Sequence, residues 1–406
     1  MTTSADEQAA GGLSRRGLFG LVGAAGLAVG VRGGVLGTLA ATRATAGSAP
    51  THDFFGAHQA GITTPVQDHL HFASFDMARS STRDDLIELL QDWSYAASRM
   101  TQGLDASASG AVGGPPEAPP DDTGEALGLP ASSLTITFGL GPGIFDERFG
   151  LRSRLPAGLE RLPAFLGDDL DPKKSDGDLC IQACADDPQV AVHAIRNLTR
   201  IAFGRAVLRW SQLGFGRTSR TSARQQTPRN LFGFKDGTAN ILADDEAGLA
   251  AHVWTDDGGS FLVARRIAMR IETWDRVRLS EQERIIGRSK GEGAPLSGGD
   301  EFAEASFAGD AIPAEAHVRL AHAAQNDGIR ILRRGYNYVD GNDELGQLSA
   351  GLFFLSYQRD PAQFIALQRA LSRDAMNEYI RHTGSGIWMI PPGAEEGSFV
   401  GAGLFA

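Results

Sequence analysis

Cysteine is nearly absent from this chain of 406 residues, which holds 2 in all. Cys180 and Cys184 fall in the alternating segment D-L-C-I-Q-A-C, which reads as a strand. Four residues along a strand span about 13 Å, more than a disulfide can bridge. With no further Cys or His in the segment to complete a metal-ligand set, both thiols are expected as small buried hydrophobes. Positive charge is also scarce: Lys and Arg number 38 against 49 Asp and Glu, a formal net charge of -11. Phosphate binding needs a basic face, and no Arg cluster here is long enough to build one, so no nucleic-acid partner is expected. A content of 42% hydrophobic and 21% charged residues leaves an ordinary globular protein and argues against a disordered chain or a membrane bundle.

The first 46 residues have their own character. A polar start leads into S-R-R-G-L-F, Ser14 to Phe19, then a Gly-rich, weakly apolar stretch ending at Ala44-Thr45-Ala46. A charged region, an apolar region and an A-x-A site are the layout of a secretory signal, and the adjacent Arg15 and Arg16 resemble a twin-arginine signal. The alternative is a signal anchor that stays uncut, although Arg32 leaves no uncharged span of 18 residues there. A twin-arginine route moves folded proteins, which points to a cofactor inserted before export. The expected destination is extracellular, periplasmic or at the cell envelope.

Hydrophobic period divides the remainder into two similar halves. The first, residues 52–228, reads as strand 66–77, helix 83–101, strands 134–140 and 178–185, helix 188–207 and strand 208–214. The second, residues 229–406, reads as a strand within 261–273, a helix near 280–288, strands near 317–321 and 329–339, strand 351–358, helix 361–381 and strand 387–390. Each half therefore suggests β-α-β-β-α-β, a ferredoxin-like unit used twice, in the α+β class. Residues 105–133, rich in Gly, Pro, Ala and Asp, exclude a helix or central strand and read as a surface loop.

The most informative segment is R-N-L-F-G-F-K-D-G-T-A-N, Arg229 to Asn240. On physical grounds an Asp between two glycines is a turn residue. The segment also resembles the G-x-x-D-G signature of dye-decolourising peroxidases. Other blocks similar to that family come in order over nearly the whole chain after the signal: F-F-G-A-H-Q-A-G-I-T-T-P from Phe54, G-D-L-C-I-Q-A-C-A-D-D-P from Gly177, A-H-V-R-L-A from Ala316, I-L-R-R-G-Y-N-Y from Ile331 and G-L-F-F-L-S-Y-Q from Gly351. The resemblance implies two ferredoxin-like halves forming one dimeric α/β barrel-like unit, with haem b against the C-terminal half.

It also implies roles. Asp236 would hang over the haem where peroxide binds, with Gly237, Thr238 and Ala239 beside the cofactor. His317 matches the iron ligand, whose second ring nitrogen donates to a carboxylate; His322 is its neighbour and rival, placed on the other side if the segment is a strand. Arg333 matches the distal arginine, and Arg334 would point to the opposite strand face. Asp374 and Glu378, four apart on one expected helix, both remain candidates for the carboxylate, with Asp374 preferred for its shorter side chain. Leu352 and Phe354 share one strand face and would line the haem site, core packing being the alternative.

The chemistry implied is peroxide reduction. Asp236 would move the proton between peroxide oxygens and Arg333 would stabilise developing negative charge. An adjacent arginine favours a carboxylate's ionised form, so an acidic activity optimum is expected. The expected partners are hydrogen peroxide and small aromatic or dye-like reductants, and a homo-oligomer is compatible with the sequence. Bulky reductants would pass electrons through Tyr336, Tyr338, Tyr357, Tyr379, Trp210, Trp254, Trp274 or Trp388, among which the sequence does not choose. Two rival functions remain: a deferrochelatase that releases iron from haem together with iron-uptake partners, and a haem carrier or sensor without turnover.

Overall fold

The computed structural model describes residues 50–406, so the expected signal lies outside the described residues. In the first half, β1 (His69–Met77), α1 (Arg83–Met100), β2 (Thr135–Leu140), β3 (Leu179–Ala185), α2 (Pro188–Ile201) and β4 (Ala206–Arg217) occur in order. The second half adds α3 (Glu246–His252), β5 (Ser260–Met269), α4 (Ile271–Trp274), α5 (Leu279–Ile286), α6 (His317–Leu320), β6 (Leu332–Arg333), β7 (Tyr336–Asn342), β8 (Leu348–Gln358), α7 (Pro361–Ala370) and β9 (Ile380–Ile390). Residues 105–133 form turns without helix or strand.

The principal helices begin on local signals. Thr82 and Asp85 form a capping box for α1. Asp187 caps α2 ahead of Pro188, and Asp360 with Gln363 forms a second capping box for α7. Such caps satisfy the first free backbone N–H groups. Helix α2 stops at Ile201, short of the expected 207, because Gly204 at φ 85° turns the chain into β4.

All strand pairings within the sheet are antiparallel. Their order is β5-β9-β2-β3-β1-β4-β7-β8, and β8 pairs with β5 to close the ring. Read half by half, both sheets run fourth, first, third, second strand, the β6/β7 segments counting as one. This is the ferredoxin-like order, repeated, and the two sheets join into one barrel. The joints are short: Leu140 with Met389 on one side, Phe215 with Asn337 and Arg217 with Tyr336 on the other.

Alternation along the strands sorts the side chains. Leu70, Phe72, Cys180, Cys184, Leu262, Tyr336, Tyr357 and Trp388 fill the barrel interior. Both cysteines are free and buried, and burial pushes each thiol up. On the outside of the first half, α1 and α2 contribute Trp93 and Leu198 to a core shared with Phe75 and Phe138. The outer face of the second half is divided. Phe354 packs toward Phe364 of α7, whereas Leu352 packs toward a separate cluster holding Phe232, Phe234 and Trp274.

Two expectations about the second half are corrected. The segment at 317–321 is the short helix α6, not a strand, since A-H-V-R-L-A satisfies helical spacing as well as alternation. The helix expected over 361–381 ends at Ala370. Asp374 interrupts its continuation by adopting φ -65°, ψ 125° and capping a separate turn, Ala375–Glu378.

Candidate active site

The loop before α3 is built to hold one carboxylate. Asn230 donates its N–H to the Phe234 carbonyl, Asp236 donates its own to Pro228, and the Arg229 guanidinium donates to the carbonyls of Gly233, Lys290 and Gly291. Gly237 has φ 85°, and a Cβ there would lie 2.7 Å from Ser219 Cα, so only glycine fits. Asp236 is thereby fixed with Oδ1 accepting from Arg333 Nη1 at 2.7 Å and Oδ2 accepting from Asn230 Nδ2 at 3.3 Å. Its side chain keeps 15% exposure and that of Arg333 28%.

The arginine pair separates by strand alternation. Arg333 on β6 reaches Asp236, while Arg334 is fully buried on the other side and donates to Thr64 O at 2.6 Å and to Gln67 Oε1. Behind Arg333 lies a contact not assigned from sequence. Asn240 Oδ1 accepts the Arg333 N–H at 2.7 Å, and Asn240 Nδ2 donates to the carbonyls of Arg333 and Arg220, both at 2.8 Å.

His317 opens α6, and its Nδ1 bonds Asp374 Oδ2 at 2.5 Å. Asp374 is almost fully buried and its other oxygen accepts the Met376 N–H at 2.8 Å. The break after α7 brings Asp374 to the histidine and leaves Glu378 exposed. Burial opposes protonation of the imidazole most strongly, but the charge and hydrogen bond of Asp374 and the charge of Asp236 together outweigh it and hold His317 above its ordinary value. The charges of Asp236 and Arg333 are both felt at His317, in opposite directions, which puts the two pairs within electrostatic reach of each other.

The remaining sequence candidates divide. Thr238 Oγ1 donates to Glu301 Oε1 at 3.3 Å, Ala239 is exposed, and Leu352 and Phe354 are each half-buried on the same face of β8. His322 does not lie across a strand from His317. It caps a short turn, with Nδ1 accepting the Ala324 N–H at 3.2 Å and Nε2 at 3.4 Å from Glu304 Oε1. Among the aromatic candidates, Tyr336, Tyr338, Tyr357, Trp274 and Trp388 are buried, whereas Trp210, Trp254 and Tyr379 are half-buried.

The donor set fits haem iron. Among the described residues His317 Nε2 has no hydrogen-bond partner, the side chain is 30% exposed, and its Nδ1 proton is directed at a buried carboxylate. A histidine oriented in this way presents one neutral nitrogen to a metal.

Known proteins agree with this architecture. Residues 59–216 match the family model for the N-terminal part of Dyp-type peroxidases and residues 227–395 that for the C-terminal part. The chain belongs to the Dyp-type peroxidase family. It is a haem peroxidase, an enzyme using hydrogen peroxide and a reductant. Deferrochelatase from Escherichia coli strain K12 is 36% identical over 361 residues, 84% of each chain. The Yersinia pestis deferrochelatase is 36% identical over 362 residues, 84% of this chain and 82% of that one. Ferric DtpA from Streptomyces lividans superposes with a TM-score of 0.81 at 38% identity, covering 88% of this chain and 98% of that chain. The DyP-type peroxidase from Cellulomonas bogoriensis gives 0.78 at 36%, covering 88% and 98%.

Proposed function

We propose that Asp236 moves the peroxide proton in this enzyme, that Arg333 stabilises the negative charge developing on peroxide oxygen, and that His317, held by Asp374, binds the haem iron. The observations that carry this reading are the Asp236–Arg333 contact and the His317–Asp374 contact, with the charges of the first pair felt at His317. When bound, haem supplies the redox chemistry of peroxide cleavage. The chain supplies the rest. Asp236 takes a proton from one peroxide oxygen and returns it to the other, as a positioned general acid-base does. Its two oxygens rest on Arg333 and Asn230, so the carboxylate is aimed before peroxide arrives. Arg333 is pre-oriented too, which adds electrostatic stabilisation without reorganisation. Leu352 and Phe354 limit water around the reacting atoms.

The test is stopped-flow mixing of the purified haem-loaded chain with hydrogen peroxide. Asp236→Asn and Arg333→Leu should keep the Soret band and lose the fast reaction; a wild-type rate in Asp236→Asn would remove the acid-base assignment.

A second reading is favoured by the two deferrochelatases at 36% identity: release of iron from haem with the porphyrin left whole, in concert with iron-uptake partners. Incubation with haem and an iron chelator under anaerobic, reducing conditions would yield metal-free porphyrin if the chain has this activity. The Arg15-Arg16 signal supports export of the folded, haem-loaded protein to the envelope or beyond. Replacing both arginines by lysine should then retain the haem protein in the cytoplasm.

A further inference from the structure

We infer that Asn240 is a positioning residue for peroxide cleavage: its side-chain amide stands in for a neighbouring strand and fixes the backbone of Arg333. This inference rests on the role proposed above for Arg333.

Strand β6 has two residues. In an antiparallel strand, successive residues direct their N–H and C=O groups to opposite sides. Arg334 turns its N–H to β8, where Leu355 accepts it at 2.9 Å. Arg333 therefore faces away from β8, where no strand among the described residues lies alongside. Asn240 fills that position. Its Oδ1 accepts the Arg333 N–H, one Nδ2 hydrogen goes to the Arg333 carbonyl and the other to the Arg220 carbonyl. The residue is buried, at 6% exposure. Its amide has two donors, and both are used.

The location gives this contact a consequence beyond stability. Asn240 lies four residues after Asp236, and the Asp236 side chain meets the Arg333 side chain at 2.7 Å. One short segment thus holds Arg333 at two points, by its backbone through Asn240 and by its guanidinium through Asp236. Loss of the amide would take the partner from one buried and one part-buried carbonyl and from one N–H, and free the arginine to drift from the carboxylate. Displacements on the order of 1 Å cost up to ~100-fold when they separate catalytic groups.

The experiment is a double-mutant cycle on the haem-loaded enzyme, with kcat/KM for hydrogen peroxide and the affinity of the resting protein for azide as readouts. Haem content, reductant KM and Tm are followed in parallel. Asn240→Ala should lower kcat/KM for peroxide ~10- to 100-fold and weaken azide binding, with haem content and reductant KM unchanged. In an Arg333→Leu background the same substitution should change both readouts less than about twofold. Asn240→Asp, which keeps the shape and the acceptor but loses both donors and sets a carboxylate against two carbonyls, should lose at least as much as the alanine variant. Asn240→Ser replaces Asn240→Ala if the latter fails to fold, and should recover part of the loss because its hydroxyl can still donate to one of the two carbonyls. Equal losses with and without Arg333, or wild-type rates in Asn240→Asp, would overturn the inference. If Arg333→Leu alone leaves peroxide reactivity intact, the arginine's own role fails as well, which separates the two failures.

Discussion

In the first half of the barrel, an 18-residue and a 14-residue helix cover the outer sheet face, and Trp93, Phe75 and Phe138 fill the space between. In the second half the strand order is the same, but the corresponding helices have 8 and 10 residues. The face they leave is bordered by two apolar clusters and carries Arg333, Leu352 and Phe354, all incompletely buried. One copy of the motif spends its outer face on packing; the other withholds coverage and sets charged groups on loops against it. Duplication of a fold thus permits division of labour, with the proposed chemistry placed where the helices are short.

Several substitutions would break or sharpen that contrast. The largest effect is expected for His317→Ala, which should abolish the Soret band, whereas His193→Ala, at a buried position of α2 in the first half, should retain it. Retention of a wild-type Soret band in His317→Ala would mean that another residue holds the iron. Asp236→Asn should lower kcat/KM for peroxide by about 10²- to 10⁴-fold at unchanged haem content. For stability the halves should exchange rank: Trp93→Ala is expected to cost about 3–5 kcal/mol, against under about 2 kcal/mol for the half-buried Leu352→Ala. Urea unfolding would measure both, and equal costs would dissolve the distinction. Asp374→Asn should weaken haem retention roughly 10- to 100-fold, measured by haem transfer to an acceptor protein, while Glu378→Gln should leave it unaltered.

The last contrast concerns pH. Burial lowers His71 in the first half to about 4. Burial, joined by the Arg265 charge, lowers His382 in the second half to about 3. Unfolded histidine titrates near 6.5, so below that pH the unfolded chain binds more protons than the folded one. Stability is therefore complete above pH 6.5 and falls with acidification, by about 1.4 kcal/mol per pH unit for each histidine until its folded value is reached. Unfolding measured from pH 7 to 4 should show this slope, and His71→Leu should reduce it. An unchanged slope would place the acid sensitivity elsewhere.

Legibility in the sequence tracked the range of the interactions. The starts expected at 83, 188 and 361 coincide with those of α1, α2 and α7, where Thr82 with Asp85, Asp187 ahead of Pro188, and Asp360 with Gln363 cap the chain within four residues. The element order of the first half was readable from alternation, whereas in the second half alternation added a strand at 317–321 that is helix α6; the peroxidase resemblance was readable from blocks such as Gly233 to Gly237. The pairing of His317 with Asp374 was not decidable, because Asp374 and Glu378 share a face only on a continuous helix, and the chain breaks at Asp374 to cap the next turn. Strand alternation also failed as a ground for setting His322 aside, since α6 is helical and His322 is engaged as a cap. Asn240 stood inside the most informative segment without an assignment. Its function depends on an open strand side that exists only after β6 docks on β8.

That open side has a meaning for how the protein behaves in concentrated solution. Exposed strand edges recruit other chains and start aggregation. The barrel closes nearly all of its edges by joining β5 to β8, and at Arg333 the amide of Asn240 occupies the backbone groups that a foreign strand would otherwise bind. A stopper of one residue thus protects the place where the ring is least complete. Variants at Asn240 should be watched for self-association as well as for lost catalysis.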